Sequence, residues 1–386
     1  MRWMLLCLAA MWTVAGAQEP LNLAAAEWET LAGDWQWSEG VAETSVAPGE
    51  SSGLKLKRPD LRDFELSFAI QSAEGLGGVA VRAHHQPAYQ EAGKTLNLGT
   101  AGLYGMGVFL TDSSARLLVN DGAERRALAS TDVDSEWVEV KLRAEGDSIQ
   151  AWINGEPFAD AVDETFLGGG IALCLSVPEG GKPGVAKFRD LKLVDLGRTG
   201  NWRTLFNGQD TTGWKEWGEE KWSVEDGMII GRSGPKKSEG YLATEETWTS
   251  FRVRGSFKML GEGNFGLFYH STIKLREDDN YPVISGVQGE VEPGYPSSTG
   301  WLYESYKRGW LVEPPKNTLA AYVLQPEDWN EIEIRSEGKV VTTWVNGVRA
   351  LHFDDPKPLL TEGSFALQLH AGGVDGIAWK EIHALD

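Results

Sequence analysis

Two polar residues with side chains suited to chemistry, Gln288 and Glu290, stand two positions apart in the stretch ISGVQGEVEPG. In a β-strand, residues i and i+2 project from the same face, so these two side chains point together while Val287 and Val291 point away. A carboxyl group held beside an amide can transfer a proton or orient a polar ligand. The stretch therefore predicts either the floor of a site or a solvated strand face.

Gln368 and His370 form a second polar pair, in the stretch FALQLHA. Strand alternation places both on one face, and His270 in GLFYHS follows the same alternation. A curved sheet could gather these separate polar faces on its concave side, beside Glu290. Each histidine also has a purely structural interpretation, which the sequence leaves open.

The turn-rich stretch GWLYESYKRGW supplies aromatic and polar groups suited to the rim of a site. Aromatic faces stack on pyranose rings and fixed polar groups select orientation, a combination typical of sugar sites. The alternative is that Arg308 pairs with Glu304 at the surface, where such a pair contributes little. The candidate rim residues are Trp301, Tyr303, Glu304, Arg308 and Trp310.

An internal duplication organises the elements that must position these groups. The segment WVEVKLRAEGDSIQAWINGEP in the first half corresponds to WNEIEIRSEGKVVTTWVNGVR in the second. Trp137 matches Trp329, and Asn154 matches Asn346 at the same separation. A period this long indicates a duplicated domain rather than a solenoid of short repeats.

Each copy has the sequence pattern of antiparallel β-structure. FELSFAI, VEVKLRA and IEIRSEG alternate apolar and polar residues, and INGEP and VNGVR carry the Asn-Gly signal of a two-residue hairpin turn. Many short strands without a convincing amphipathic helix predict an all-β fold of two tandem β-sandwiches. The predicted domains are 18–197 and 200–386.

The duplication provides an internal control for the polar residues. Where the second copy has LQLHAGG the first has LCLSVPEGG, so Cys174 replaces Gln368 and Ser176 replaces His370. Arg82 aligns with His270, and no counterpart of GVQGE is recognisable in the first copy. Because core motifs persist in both copies while these polar ones do not, the polar residues are expected to serve a task other than folding.

The overall charge and the N-terminus limit the partners and the location. Of the 386 residues, 36 are Lys or Arg and 56 are Asp or Glu, a formal charge of −20, so nucleic acid and anionic membrane surfaces are poor partners. The stretch MRWMLLCLAAMWTVAGAQEP resembles a signal peptide cleaved after Ala17, which predicts a secreted or periplasmic protein. No later segment has the length and apolarity of a membrane span. Loss of Cys7 with residues 1–17 would leave Cys174 as the single thiol.

Several motifs of the second half occur together in a known order. They are TLFNGQDTTGWKEW, KWSVEDGMIIG, ISGVQGEVEPG, GWLYESYKRGWL, PEDWNEIEIRSEGKVVTTWVNGV and SFALQLHAGG. Roughly residues 200–386 thus resemble the 3-keto-disaccharide hydrolase domain, and the first copy resembles it more distantly. The resemblance implies a concanavalin A-like jelly-roll fold in both copies. It also implies hydrolysis of glycosides that are oxidised to a ketone at C3, in the periplasm or outside the cell.

Such chemistry defines roles for the candidate residues. A C3 carbonyl acidifies the C2 proton, so a base can remove it, the C1 substituent can leave, and water can add afterwards. We expect Glu290 to act as base or acid and His370 as its proton partner or as the group that stabilises the enolate. The family more often carries aspartate at the position of Glu290 and arginine at that of His270. The expected sugar-binding residues are Gln288, Gln368, His270, Tyr303, Glu304, Arg308, Trp301 and Trp310.

Three alternatives remain open at this point. The chain could bind an oligosaccharide or glycoside without cleaving it, the first domain being the clearest candidate for such a role. It could be an ordinary glycosidase with Glu290 and either Glu292 or Glu304 separated by ~5 or ~6.5–9.5 Å. A divalent metal held by Glu290 and a histidine is a further option that no spacing requires. The adjacent pair His84 and His85 points to opposite strand faces, which argues against a metal site there.

Overall fold

The computed structural model describes residues 19–58, 61–94, 96, 98, 102–358 and 360–386. The predicted signal peptide, residues 1–17 with Cys7, lies outside the described residues. Within the described ranges, none of the helices has the length and apolarity needed to cross a membrane.

The first half of the described chain forms two antiparallel sheets that share an apolar core. One sheet has the strand order β13-β12-β11-β6-β15-β4-β3, with β1 beside β15, and the other has the order β10-β9-β8-β7-β14-β5-β2. The elements are β1 (Leu21–Asn22), a 3-10 turn (Ala25–Glu27), β2 (Trp28–Ala32), β3 (Trp35–Ser38), β4 (Val41–Val46), β5 (Ser51–Leu56), β6 (Asp63–Ala73), β7 (Leu76–His85), α1 (Pro87–Glu91), β8 (Leu103–Leu110), β9 (Ser114–Asn120), β10 (Arg125–Asp132), β11 (Val138–Glu145), β12 (Ser148–Ile153), β13 (Glu156–Val162), β14 (Gly170–Ser176) and β15 (Gly184–Gly197).

The second half repeats this arrangement strand for strand. Its sheets have the orders β28-β27-β26-β21-β30-β19-β18, with β16 beside β30, and β25-β24-β23-β22-β29-β20-β17. The elements are β16 (Arg203–Thr204), β17 (Trp214–Trp217), β18 (Lys221–Glu225), β19 (Met228–Arg232), β20 (Gly240–Thr244), β21 (Phe251–Met259), β22 (Phe265–Leu275), β23 (Pro282–Val291), β24 (Leu302–Glu304), β25 (Gly309–Trp310), a 3-10 turn (Leu319–Ala321), β26 (Asn330–Glu337), β27 (Val340–Val345), β28 (Val348–Asp354), β29 (Ser364–Leu369) and β30 (Ile377–Leu385).

The predicted fold, two tandem concanavalin A-like jelly-roll β-sandwiches, is confirmed. The Asn-Gly turns fold as the sequence indicates, because Asn154 and Asn346 have φ values of 51° and 50° and the glycines that follow also have positive φ. Positive φ at both central residues is the property of the hairpin turn that matches the right-handed twist of the strands.

The two sandwiches also share an unusual backbone position. Arg82 and His270 have φ values of 48° and 47°, and each interrupts the strand pairing as part of a β-bulge. Non-glycine residues seldom adopt this conformation. Gly169 and Gly363 pack against the two bulges, where a side chain would collide with the backbone. The alignment of Arg82 with His270 therefore holds in the backbone as well as in the sequence.

The first sandwich packs against the outer face of the sheet that contains β26. Glu331 on β26 pairs with Arg62 of the first sandwich at 2.7 Å and with Arg198 of the segment that joins the two sandwiches. The Leu167 N–H donates to the carbonyl of Gly347 at 2.7 Å. The covered face belongs to the sheet without Gln288 and Glu290, so this packing leaves the face that carries them available.

Candidate active site

One row of residues crosses four neighbouring strands of the second sandwich. Tyr241 on β20 pairs with Gln368 on β29, which pairs with Gly266 on β22, which pairs with Glu290 on β23. Cross-strand partners share a face, so these side chains point together. Gly266 has no side chain, and a Cβ there would lie 2.5 Å from the Gln288 amide. The missing side chain leaves room for Gln288 between the flanking strands.

A cavity of about 400 Å³ opens over this row. Its volume lies in the range of small-molecule sites. Val287 and Val291 belong to the core on the opposite face of the sheet, as the alternation of β23 predicts. The cavity is lined by Glu239, Asn264, Gln288, Glu290, Tyr303, Ser305, Tyr306, Trp310, Gln368 and His370.

Glu290 is the buried acid of this cavity, with 4% of its surface exposed. The Asn264 side-chain amide donates to one carboxyl oxygen, and Gln288 Nε2 donates to the other at 3.1 Å. Gln288 Nε2 also donates to the carbonyl of Phe265 at 3.0 Å, which fixes the amide. Burial raises the pKa of Glu290 to about 8, against the opposing effect of the Asn264 hydrogen bond and with a further contribution from the charge of Glu292. At neutral pH the carboxyl group is mostly protonated.

His370 lies just after β29 and is exposed on the cavity wall. Its Nδ1 is 2.8 Å from the carbonyl of Ala371. A carbonyl oxygen only accepts, so Nδ1 is the donor, and in the tautomer with this single proton the lone pair lies on Nε2. The His370 peptide N–H donates to the carbonyl of Asn264 at 3.2 Å, and the same Asn264 contacts Glu290. The cavity thus combines a protonated acid with an imidazole that can accept a proton.

A second carboxyl group, Glu239, lines the cavity and was not predicted. The hydroxyl of Tyr241 donates to it, and the hydroxyl of Tyr306 donates to the same oxygen at 3.0 Å. Glu239 and Tyr241 stand two positions apart in SEGYLAT, the spacing that identified Gln288 and Glu290. That signal was present, but a tyrosine in an apolar strand is also typical of a core residue.

Tyr303 and Trp310 form an aromatic part of the wall. Their ring centroids are 5.3 Å apart with an interplanar angle of 82°, and their strands β24 and β25 pair directly. Both rings are half-buried. The predicted residues that meet in one cavity are Gln288, Glu290, Tyr303, Trp310, Gln368 and His370.

Three predicted rim residues do not line this cavity, which corrects their expected placement. Trp301 is 4% exposed and packs in the core, and only its backbone carbonyl reaches the site, by accepting the Glu290 N–H at 2.9 Å. Arg308 pairs with the buried Glu304 at 2.5 Å and with Asp355 at 2.8 Å. The guanidinium is held by two carboxylates, so this pair braces the turn that presents Tyr303.

His270 also lies outside the cavity lining. Its Nε2 is 2.9 Å from the carbonyl of Thr249, and its ring stands edge-on to Phe251 with centroids 5.3 Å apart. The ring is buried, and this burial lowers its pKa. The bulge between Phe268 and Ser271 interrupts the alternation on which the prediction depended. A neutral, hydrogen-bonded histidine in this setting has a structural role.

A larger hollow of about 670 Å³ lies on the first sandwich. Its lining includes Glu139 and Trp152, the repeat counterparts of Glu331 and Trp344. In the second sandwich those counterparts are covered by the first, through Arg62 on Glu331 and the Glu164 carbonyl on Trp344 Nε1. The hollow therefore corresponds to a packing surface and not to the face with Glu290.

A metal site would need several His, Cys, Asp or Glu side chains close together. The described ranges omit residues 1–18, 59–60, 95, 97, 99–101 and 359. Within these ranges there is no group of three or more His, Cys, Asp or Glu side chains that could hold a metal ion. The sequence left open a divalent metal held by Glu290 and a histidine, and the lining of the cavity contains Glu290 and His370.

Comparison with solved structures gave several similarities at low identity. A protein from Parabacteroides distasonis, described as a candidate glycosyl hydrolase, is 21% identical, with 48% of this chain and 94% of that chain covered and a TM-score of 0.36. The carbohydrate binding module CBM66 from Bacillus subtilis is 11% identical, covering 45% and 96%, with a TM-score of 0.32. A Bacillus subtilis protein of unknown function with a galectin-like fold is 14% identical, covering 48% and 94%, with a TM-score of 0.37. No match was found among curated proteins.

The sequence family described as the 3-keto-alpha-glucoside-1,2-lyase-like domain matches two segments, residues 22–193 and 201–384. These segments coincide with the two tandem copies and cover most of the chain. The match indicates a carbohydrate-related function. The chain thus belongs to the 3-keto-alpha-glucoside-1,2-lyase-like domain family, with one copy of the domain in each half.

Proposed function

We propose that the second sandwich cleaves 3-keto-glycosides by proton abstraction at C2, elimination at C1 and subsequent hydration. The observation that carries this proposal is the burial of Glu290, which raises its pKa to about 8, in a cavity that also contains His370. Elimination next to a ketone requires one group that accepts a proton and one that donates a proton. It requires no covalent nucleophile.

Glu290 is the proposed acid. With a pKa of about 8 it holds a proton at neutral pH, and the amides of Asn264 and Gln288 fix the orientation of the carboxyl group. A buried carboxyl with a raised pKa is well matched to proton donation near neutrality. The family resemblance left the acid and base assignments of Glu290 open, and its raised pKa favours the acid.

His370 is the proposed base. The lone pair on Nε2 takes the C2 proton, the C2–H electrons form the C1–C2 double bond, and the C1–O bond breaks. The leaving oxygen keeps the electron pair of that bond and takes the proton of Glu290, so the products are an alcohol and an unsaturated 3-keto sugar. Addition of water across the double bond, with its hydroxyl going to C1 and a proton to C2, yields the free 3-keto sugar.

The first sandwich is proposed to be non-catalytic. At the position of Glu290 in the strand register it has Phe109, and at that of Gln368 it has Cys174, which cannot supply this acid or this amide. A secreted or periplasmic location is also part of the proposal and depends on the N-terminal sequence alone.

The test is an assay of the purified protein with a 3-keto-disaccharide and, separately, its unoxidised parent, with and without a chelator. We expect release of the second sugar from the keto form alone. Glu290→Gln should lower this rate by about 100- to 10,000-fold, the range for loss of a general acid or base. Glu292→Gln is the matched control, because Glu292 is a half-buried carboxyl two residues away that does not line the cavity.

The other outcomes decide between the remaining functions. Cleavage of the unoxidised sugar would indicate an ordinary glycosidase, for which Glu304 is poorly placed because Arg308 holds it. Binding of either sugar without cleavage, and unaffected by Glu290→Gln, would indicate a carbohydrate-binding protein. Loss of cleavage on chelation would show that a divalent metal takes part.

A further inference from the structure

The two carboxyl oxygens of Glu239, the residue just before β20, have different surroundings. The Tyr241 hydroxyl and the Tyr306 hydroxyl both donate to Oε2, the latter at 3.0 Å. Within the described part of the chain, Oε1 accepts no hydrogen bond, yet it is not one of the fully buried polar atoms that lack a partner. Glu239 lines the cavity and is 8% exposed. Oε1 is therefore an acceptor with accessible surface, on a side chain whose other oxygen is held by two donors.

The hydrogen bond from Tyr306 reaches Glu239 across the sheet. Tyr306 lies in the turn between β24 and β25, and the strands β29, β22 and β23 separate β24 from β20. Neighbouring strands are about 4.8 Å apart, so β24 and β20 are roughly 19 Å apart, which exceeds the length of a tyrosine side chain. The turn must therefore fold over the face of the sheet that carries Gln288 and Glu290. The contact between Tyr306 and Glu239 bounds the cavity on this side.

The fold does not require a carboxyl group at this position. In the first sandwich Ser176, the counterpart of His370, pairs with Ser51. The same register makes Ser51 the counterpart of Glu239, and Gly53 the counterpart of Tyr241. The same strands thus pair with neither the carboxyl group nor the phenol. Because the carboxyl group held by two phenols occurs only in the sandwich with the polar cavity, it points to recognition of a ligand.

We propose that Glu239 Oε1 binds one hydroxyl group of the sugar and that the Glu239 carboxylate excludes anionic groups from the cavity. A carboxylate oxygen only accepts hydrogen bonds, so it selects a donor and disfavours groups that also only accept, such as the ketone oxygen. The ketone is then directed away from Glu239 and towards Glu290. The identification of the ligand as a 3-keto sugar rests on the proposed function, whereas the selectivity rests on the surroundings of Glu239.

The charge of the cavity favours a neutral substrate. Among the described residues, its lining contains two carboxyl groups, Glu239 and Glu290, and neither lysine nor arginine. A carboxylate, sulfate or phosphate on the sugar would lose its hydration without gaining a lysine or arginine partner. The cavity is therefore suited to neutral glycosides and disfavours uronic acids and sugar phosphates.

The hydrogen bond is tested by calorimetry with an unoxidised disaccharide and its monodeoxyfluoro analogues, in which fluorine replaces one hydroxyl group at a time. Fluorine cannot donate, so one position should weaken binding to the wild-type protein by about 10- to 100-fold, the effect of losing a hydrogen bond to a charged group. In Glu239→Gln the two tyrosines still donate to the side-chain oxygen, which turns the amide nitrogen towards the cavity. Because this nitrogen donates, fluorine at the same position should weaken binding by less than about fivefold.

The exclusion of anions is tested with the matching uronic acid at pH 7. The wild-type protein should bind it at least about tenfold more weakly than the neutral disaccharide, and Glu239→Gln should reduce this difference to less than about threefold. Glu292→Gln is the matched control, because Glu292 is a half-buried carboxyl group that does not line the cavity. This control should leave both the fluorine penalty and the discrimination against the uronic acid at wild-type values.

Glu239→Asp separates the two effects. Aspartate keeps the charge but shortens the side chain by one methylene group, which withdraws the acceptor from the sugar. The uronic acid should stay excluded, whereas the fluorine penalty should fall below about fivefold. Thermal unfolding verifies that each variant is folded, and Glu239→Asp decides the role of the hydrogen bond if Glu239→Gln does not fold.

Four results would overturn the inference. They are absence of disaccharide binding, a fluoro series without a sensitive position, a sensitive position that persists in the folded Glu239 variants, and equal wild-type affinities for the uronic acid and the neutral sugar. These measurements need no turnover, so they are independent of the cleavage assay. Selective binding without cleavage of the keto sugar would retain the subsite and refute the proposed function, and cleavage without a sensitive hydroxyl would do the reverse.

Discussion

The two sandwiches use the same row of the same sheet in opposite ways. In the first, the row lies under an apolar cluster in which Phe109 and Cys174 are fully buried. In the second, it forms the floor of a polar cavity. The positions that correspond in strand register are Gly53 and Tyr241, Cys174 and Gln368, Phe109 and Glu290, Gly107 and Gln288, and Leu118 and Tyr303.

This difference shows that the side chains on this sheet face can change without a change in the arrangement of the strands. Strand order, bulges and Asn-Gly turns are common to both halves, so the fold tolerates either set of side chains. Apolar residues in the first face lower the free energy of the folded state. A buried carboxyl group in the second face raises it. Features that oppose stability are expected where a protein recognises or transforms a ligand.

The largest expected effect concerns Glu290 and pH. The difference between an ordinary pKa of 4.5 and one of about 8 corresponds to roughly 4 to 5 kcal/mol. Below pH 4.5 both states are protonated, so there is no penalty. Between pH 4.5 and 8 the unfolded state ionises while the folded state keeps its proton, so the free energy of unfolding falls as pH rises.

Glu290→Gln removes this penalty and should be more stable than the wild type by roughly 4 kcal/mol at pH 9, with little difference near pH 4. Urea unfolding at both pH values measures this. Glu292→Gln, the half-buried neighbour, should show a far smaller dependence. A difference that is the same at both pH values would contradict an elevated pKa in the folded state.

A second comparison concerns the other sheet of each sandwich, the one that contains β11 or β26. Glu331 on β26 and its repeat counterpart Glu139 on β11 differ in burial. Glu331 is buried and contacts Arg62, Arg198 and Arg254, whereas Glu139 is exposed. Glu331→Ala leaves the buried Arg254 and the half-buried Arg62 and Arg198 without their counter-charge and should lower the free energy of unfolding by about 3 kcal/mol. Glu139→Ala should change it by less than about 0.5 kcal/mol. Similar losses in the two variants would show that the ion cluster does not stabilise the packing of the two halves.

The sequence predicted the scaffold and part of the site for identifiable reasons. The Asn-Gly turns and alternating strands give the sandwich, and period-two spacing correctly paired Gln288 with Glu290 on one face. The same spacing gave the wrong face for His270, because a β-bulge between Phe268 and Ser271 interrupts the alternation. No residue type near His270 indicates this bulge. The sequence comparison also found no first-half counterpart of GVQGE. Strand register shows that β8 is that counterpart, with Gly107 and Phe109 at the two polar positions.

Residues in loops were harder to place than residues in strands. Trp301 and Arg308 occur among turn signals, which favour exposure, but the loop folds back and buries the indole in the core. Arg308 forms an ion pair with Asp355. Because Asp355 is distant in sequence, the local pattern around Arg308 does not predict this pair. Glu239 was missed although its spacing from Tyr241 was a local signal, and its contact with Tyr306 comes from a loop that is distant in sequence.

A substitution at Phe109 tests the structural role of the apolar sheet face in the first sandwich. Phe109→Ala removes a fully buried ring from the apolar cluster and should lower the free energy of unfolding by about 3 kcal/mol. Turnover and KM should stay at wild-type values at temperatures where the variant is folded, because the residue is remote from the cavity. A large change in kcat without unfolding would contradict the assignment of a structural role to this face.

Tyr303→Leu copies a residue of the first face into the second and has the smallest expected effect. Leu118 occupies the matching register position in the apolar cluster, so a leucine fits a strand at this place. The substitution removes the ring that packs edge-on against Trp310 and that is available to a sugar face. An aromatic contact of this kind contributes about 1 kcal/mol, so KM should rise about fivefold while kcat changes little. Tyr303→Phe keeps the ring and should stay within about twofold of the wild type. If Phe and Leu weaken binding equally, the hydroxyl and not the ring is the recognised group, and the wall of the cavity acts by hydrogen bonding instead of stacking.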